Sequence, residues 1–277
     1  MSEKYSSISP KVIKEMSSIQ EKQYSVTVSK SNELIRKGCN GLTLVQQKIL
    51  CYFIADIRDT DTTSTIKEYE LSEIYDFLCL QGEKAKTAQN IADLDKKTWW
   101  IVTDTESIRY RFFNSLHITH DNKVKFSFNA DLLPYLQNLI VNKNYTYYRI
   151  LYILCMRSEY SIKLYEYMKA AENKGVWYSQ LGHLKKLLNC EDKYPIVADF
   201  RKKVIDTALH EINESTDITV SYTFYRKPHT RQYEGIEFYI QTKTKRERLA
   251  TERAIRDKLD PTVEKNSKNR TSDIKTP

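Results

Sequence analysis

Pro195-Ile-Val-Ala-Asp-Phe200-Arg-Lys-Lys-Val-Ile205-Asp-Thr-Ala-Leu-His210-Glu-Ile-Asn-Glu214 is the stretch that decides the fold class. Ile196, Phe200, Val204, Ala208 and Ile212 recur four apart, which draws one apolar stripe along a helix, and Pro195 suits a helix start. Directly after it, Ile218, Val220, Tyr222 and Phe224 alternate with polar neighbours, and so do Ile236, Phe238 and Ile240. Those are two strands, joined by the basic turn Arg226-Lys-Pro-His-Thr-Arg231. A long helix followed by a hairpin is the order of a winged helix-turn-helix, in which the recognition helix precedes a β-wing. Upstream of it the pattern predicts helices over 147–156 and 160–171, a small strand at Trp177-Tyr178, and a helix through Leu181, Leu184 and Leu188 capped by Ser179.

The same order occurs once before. After a short strand near Val26, a helix is predicted over 42–57, with Val45, Ile49, Phe53 and Ile57 four apart and Thr43 and Gln46 spaced as a capping box. A β-prone stretch (64–69), a short amphipathic piece (71–80) and a helix over 83–98 follow. That last helix buries Ile91 and Leu94 and turns a polar face outward. Four short β-branched or aromatic stretches between Trp99 and Phe128 then make the hairpin region, with Arg109 and Arg111 on the wing. The expected architecture is α+β, two tandem winged helix-turn-helix domains. A loose arm takes 1–24, the first domain 25–143 and the second 144–243. A basic tail takes 244–277, helical to about 259 and coreless beyond.

Composition narrows the function. With 277 residues and 40% hydrophobic content the chain can bury real cores, and no apolar run approaches the ~18 residues of a membrane span. The polar N-terminus has no apolar signal region, and five single cysteines without a C-x-x-C read as reduced thiols; a cytoplasmic protein is expected. Six glycines and the absence of any glycine-rich phosphate loop argue against nucleotide binding. The formal charge is +8, of which residues 243–277 hold +5 (11 Lys/Arg against 6 Asp/Glu), so a DNA surface on the globular part must come from segregation of charge.

No catalytic constellation emerges. His117 and His120 are three apart, on opposite faces of a strand, which is unsuited to joint metal ligation. No catalytic residue, metal or cofactor is expected, nor any membrane partner. DNA contacts are expected instead from Lys193, Arg201, Lys202 and Lys203 around the start of the long helix, and from Arg226, Lys227, His229 and Arg231 on the wing tip. In the first unit Lys84, Lys86, Thr87, Gln89, Asn90, Arg109 and Arg111 are the counterparts. Arg201 is the candidate base reader and Lys227 a phosphate contact, while Tyr145, Tyr147 and Tyr148 are assigned to a domain-interface core.

Several motifs carry a resemblance. They are Ser31-Asn-Glu-Leu-Ile35, Leu42-Thr-x-x-Gln46-x-x-Ile-Leu50, Tyr160-Ser-Ile-Lys-Leu-Tyr-Glu-Tyr167, and Phe200 through Asn213 followed by Thr216-Asp-Ile218. From about Val26 to Thr242 the chain resembles the iteron-binding replication initiators (Rep proteins) of theta-replicating plasmids, which are built from two winged-helix domains. It departs from their pattern in the tail and at the second wing tip, where Pro228-His229 replaces the usual glycine. The resemblance implies binding to directly repeated origin sites, opening of adjacent AT-rich DNA, and recruitment of a host initiator ATPase and the replicative helicase. It also implies a dimer that represses its own gene and is returned to monomer with chaperone help. Two recognition helices about one DNA turn apart would suit a site of roughly 20 bp. Two other classes remain open: a rolling-circle nicking initiator, which would need a tyrosine adduct and a metal, and a repressor with no part in replication.

Overall fold

The computed structural model describes residues 23, 25–80, 84–102 and 105–259. The expected arm, apart from Gln23, and the tail beyond 259 lie outside these residues. The first strand, β1 (Thr27–Ser31), runs into α1 (Asn32–Lys37), whose N-cap Ser31 accepts from the Leu34 amide at 3.1 Å. After β2 (Gly38–Cys39), α2 (Leu44–Ala55) begins in the expected capping box: the Thr43 hydroxyl accepts from Gln46 N at 3.3 Å, and Gln46 Oε1 accepts from Thr43 N at 3.1 Å. Then come β3 (Lys67–Glu70), α3 (Leu71–Phe77), α4 (Lys84–Leu94), β4 (Thr98–Val102), β5 (Ser107–Arg111), β6 (Phe113–Ile118) and β7 (Lys123–Phe128). A short α5 (Leu139–Asn142), β8 (Tyr145–Arg149) and α6 (Leu151–Leu154) lead to α7 (Glu159–Ala171).

The second unit is β9 (Val176–Gln180), α8 (Leu181–Leu187), the long helix α9, β10 (Ile218–Arg226) and β11 (Tyr233–Thr242). In α9, helical turns at Val197–Phe200 and Thr207–Ser215 flank a π-helical stretch, Arg201–Asp206. A last helix, α10 (Lys245–Leu259), follows. Both units share one topology: helix, strand, helix, recognition helix, hairpin. In the first, the sheet order is β3-β7-β6; in the second it is β10-β11-β9, so each time the strand before the helix pair lies beside the second wing strand. These are two tandem winged-helix domains.

Helix α7 holds the units together. Its apolar residues Leu164, Tyr165 and Met168 are fully buried, and its polar residues Ser161, Lys163, Glu166 and Lys169 are buried and paired. Glu166 takes an ion pair from Lys30 of β1 at 2.6 Å and a hydrogen bond from the Tyr148 hydroxyl of β8 at 2.5 Å. On its other side, Tyr165 and Lys169 each donate to Asp217, just before β10, at 2.8 Å. At its start, Glu211 of α9 accepts from the backbone amides of Arg157 and Ser158 at 3.1 and 3.2 Å and from the Ser161 hydroxyl at 2.6 Å.

Several expectations are corrected. The predicted helix over 147–156 is instead β8 followed by one turn, α6. Its tyrosine-rich start pairs antiparallel with β1 (Val28 opposite Tyr148), because a short apolar run has no period that separates strand from helix. Helix α8 is capped at Gln180, not Ser179, which is buried in β9. The four strands between Trp99 and Phe128 do not form one wing: β4 and β5 join β2 in a separate sheet, and the wing is β6–β7. Within the span assigned to the tail, α10 is docked. It buries Ile255, and Glu252 receives Arg149 at 3.1 Å and the Tyr152 hydroxyl at 2.7 Å.

Two measurements test this packing. Lys30→Met leaves Glu166 buried without its cation and is expected to cost about 3–5 kcal/mol in urea unfolding, most of it recovered by adding Glu166→Leu. Lys48 is buried and donates to the Leu154 carbonyl at 2.6 Å; burial pulls its pKa down to about 8. Between about 8 and its ordinary value of 10.5 the unfolded chain holds more protons there than the folded one, so this group adds stability as pH rises. The stability difference between wild type and Lys48→Met should shift toward wild type over that window, and be least favourable to it below pH 8.

Candidate nucleic-acid interface

The second domain exposes cations on its long helix and on its wing tip. Phe200, Val204 and Ile205 face the core, so α9 turns Arg201, Lys202 and Lys203 outward, all exposed. Arg201 Nε donates to the Tyr222 hydroxyl of β10 at 2.8 Å and lies 3.8 Å from Asp206 Oδ2. The same hydroxyl donates to Asp206 Oδ1 at 2.5 Å. Lys203 lies 3.5 Å from Asp199, whereas Lys193 is drawn to Glu159 at the start of α7 (3.3 Å). Beyond the core the hairpin continues into an exposed tip, 226–232. Its turn is closed by Lys227 N donating to Gln232 O at 2.9 Å and Thr230 N to Lys227 O at 3.1 Å. Arg226 stacks 5.1 Å from the Tyr233 ring centre and pulls that hydroxyl below its ordinary pKa. Lys227, His229 and Arg231 are exposed on the turn.

In the first domain α4 exposes Lys86 and Gln89, with Asn90 Nδ2 bound to the Lys86 carbonyl at 2.7 Å. The side chain of Lys84 lies outside the described residues. On the wing, Lys123 and Lys125 both pair with Glu68, at 2.9 and 3.0 Å, which cancels much of their field. Arg109 and Arg111 sit on β5, in the separate sheet, with Arg109 5.8 Å above the exposed Trp100 ring. Among the described residues no three His, Cys, Asp or Glu side chains are placed to hold a metal ion, and no helix is long and apolar enough to cross a membrane.

Residues 27–169 match the family described as initiator replication protein, WH1, and residues 181–240 match initiator Rep protein, WH2. The chain belongs to this initiator replication protein family. A crystal structure of Pi initiator protein in complex with iteron DNA shares the fold, with a TM-score of 0.64 at 17% sequence identity over 78% of this chain and 97% of that chain. The comparison with curated proteins finds no match. The motifs that carry the family resemblance are structural in this initiator. Ser31, Thr43 and Gln46 cap helices, Tyr165, Glu166, Glu211 and Asp217 form the network around α7, and Asn213 clips β10 by bonding both Val220 N (2.7 Å) and Val220 O (3.0 Å).

Arg201, Lys202 and Lys203 on α9 and Arg226, Lys227, His229 and Arg231 on the wing are all exposed, and Arg201 is joined to the wing strand through Tyr222. It corrects two assignments in the first domain. Thr87 faces the core: Thr87, Ile91 and Leu94 stand at i, i+4 and i+7, so the apolar stripe extends through it. Arg109 and Arg111 are not on the wing, because β4–β5 is an insertion between recognition helix and wing. Sequence reasoning missed Tyr222, Tyr233 and Asp206. Alternation placed Tyr222 on the buried face, yet the strand outruns the core, so its hydroxyl emerges beside Arg201. The signal was available in the aromatic residues flanking Arg226.

His229 takes φ 58°, the left-handed conformation that a glycine would favour at this tip. His229→Gly should leave the unfolding midpoint unchanged or higher. A β-branched His229→Val should destabilise by about 1–2 kcal/mol, read by thermal unfolding and by amide exchange of the wing.

Proposed function

We propose that this chain initiates replication of a plasmid by binding directly repeated duplex sites (iterons) in its origin. In this reading residues 25–143 form a first domain for dimerisation and DNA contact, and residues 144–243 the main reader of the repeat. The observation that carries it is the group of exposed cations on α9 (Arg201, Lys202 and Lys203) and on the second wing tip (Arg226, Lys227 and Arg231), the two elements by which a winged helix meets a major groove and its flanking phosphates. The solved relative named as bound to iteron DNA has the same fold, which supports the choice of ligand.

Further steps belong to the proposal. The bound protein promotes melting of the adjacent origin DNA and recruits the host initiator ATPase and replicative helicase in the cytoplasm. A dimer, separated into monomers with chaperone help, represses the gene. The aromatic strands of the first domain, with β5 and β6 at the edges of their sheets, offer pairing surface for that dimer. No catalytic residue, metal or cofactor enters this reading.

The test uses tandem repeats from the DNA flanking the gene. Full-length protein should protect them in footprints and bind them far more tightly than scrambled duplex. Lys227→Ala should flatten the dependence of log K on log salt by about one unit while nearly keeping the repeat-to-scrambled ratio. Equal affinity of the wild type for repeated and scrambled duplex would overturn the proposal.

A further inference from the structure

We propose that Tyr222 and Asp206 are positioning residues that aim the Arg201 guanidinium at a base edge and so set the specificity of the second winged-helix domain. This rests on the reading of that domain as the DNA reader, and deepens it. The starting observation is the π-helical stretch Arg201–Asp206. In an α-helix of ~3.6 residues per turn, residues five apart point about 140° away from each other. The i→i+5 repeat of a π turn stacks them on one face instead. Here it sets Arg201 Nε 3.8 Å from Asp206 Oδ2. The Thr207 hydroxyl reaches back over the same interval to the Lys202 carbonyl at 3.1 Å, so the altered turn keeps that acceptor satisfied.

Tyr222 closes the arrangement from the wing. Its one hydroxyl accepts from Arg201 Nε at 2.8 Å and donates to Asp206 at 2.5 Å, using both of its hydrogen-bonding capacities. Its ring is held edge-on by Phe224, with centroids 5.5 Å apart, and lies 6.4 Å from buried Phe238, so the hydroxyl is a fixed point. The Arg201 side chain lies over that ring, 5.7 Å from its centroid. With Nε anchored, the four N–H groups on the terminal nitrogens remain, in the planar fork that matches guanine O6 and N7.

Charge argues for base readout over phosphate contact. Asp206 beside Arg201 leaves the pair with almost no net charge and would repel an approaching phosphate, so the pair adds little counterion release. Lys227, by contrast, shares an exposed tip with the cations Arg226 and Arg231, which suits it to phosphate. An arginine neutralised by a neighbour and steered by a tyrosine is suited to discrimination, and poorly suited to general attraction.

The experiment selects preferred sites for the full chain from a randomised duplex pool, then titrates Arg201→Ala, Tyr222→Phe and Asp206→Asn against the selected and scrambled duplexes. Arg201→Ala should lose roughly tenfold in preference at one base pair. Tyr222→Phe and Asp206→Asn should each lose several-fold at that same base pair, with no further loss when added to Arg201→Ala and with the salt slope kept. Matching thermal unfolding of wild type and Tyr222→Phe confirms that the fold is retained; if it falls, Asp206→Asn carries the test. Preference lost in Arg201→Ala but kept in the other two overturns the positioning role alone. So does an Asp206→Asn effect at a different base pair, which would make Asp206 a reader itself. An Arg201→Ala protein with unchanged preference overturns it as well. Failure of the wild type to select any sequence removes the underlying DNA-reader reading and this inference with it.

Discussion

Buried charge on one helix organises this molecule. A carboxylate withdrawn from water is tolerated only when a cation and further donors meet it at close range; α7 carries or meets two such carboxylates, and a third, half-buried one stands at its N-terminus. Glu166 binds Lys30 and Tyr148 on the side of the first domain, while Tyr165 and Lys169 bind Asp217 on the side of the second. Glu211 completes the set by answering the unsatisfied amides at the helix N-terminus. Each of these partners comes from a different element. Sliding α7 relative to β1, β8, α9 or β10 would strand a charge, so the register of both domains is fixed by the same residues. The helix therefore serves as the first helix of the second winged domain and also as part of the wall of the first.

The division of labour along α9 follows from that anchoring. Its C-terminal half is committed to structure through Glu211 and Asn213, and through Glu214, which pairs with Lys258 of α10 at 3.3 Å. Its N-terminal half buries Phe200, Val204 and Ile205 and is joined to β10 through Tyr222, while Arg201, Lys202 and Lys203 stay exposed. Rigid placement at one end gives accuracy at the other. The docked α10 adds to this by packing on both α9 and α6, with Glu252 held by Arg149 and Tyr152.

The two domains share a topology but differ in electrostatics. The first wing returns its lysines to Glu68, and α4 turns Thr87 inward. The second wing extends past its core into an exposed tip of Arg226, Lys227, His229 and Arg231. Long-range attraction scales with uncompensated charge, so equal folds need not contribute equally to binding a polyanion. The inserted β4–β5 hairpin puts the first domain's exposed Trp100 under Arg109 in a sheet apart from its wing, whereas in the second domain the ring under Arg226, Tyr233, belongs to the wing itself.

By itself the sequence determined the elements whose signals are local. The period-four stripe of α9, the capping box of Thr43 and Gln46, the alternation of β10 and β11 and the basic turn between them can each be read from neighbours a few residues apart, because helix and strand periodicity are local properties of the chain. Family membership was legible for the same reason, through closely spaced motifs. Tertiary structure alone decided the rest. Residues 145–149 became a strand because β1, more than a hundred residues earlier, supplies their hydrogen bonds. The motif carboxylates proved structural because their cations arrive from distant segments, as Lys30 does for Glu166. The π turn and the Tyr222 hydroxyl meet at Arg201 only after β10 has folded back along α9, since no spacing in the chain records which side chain a strand will carry past the edge of its core.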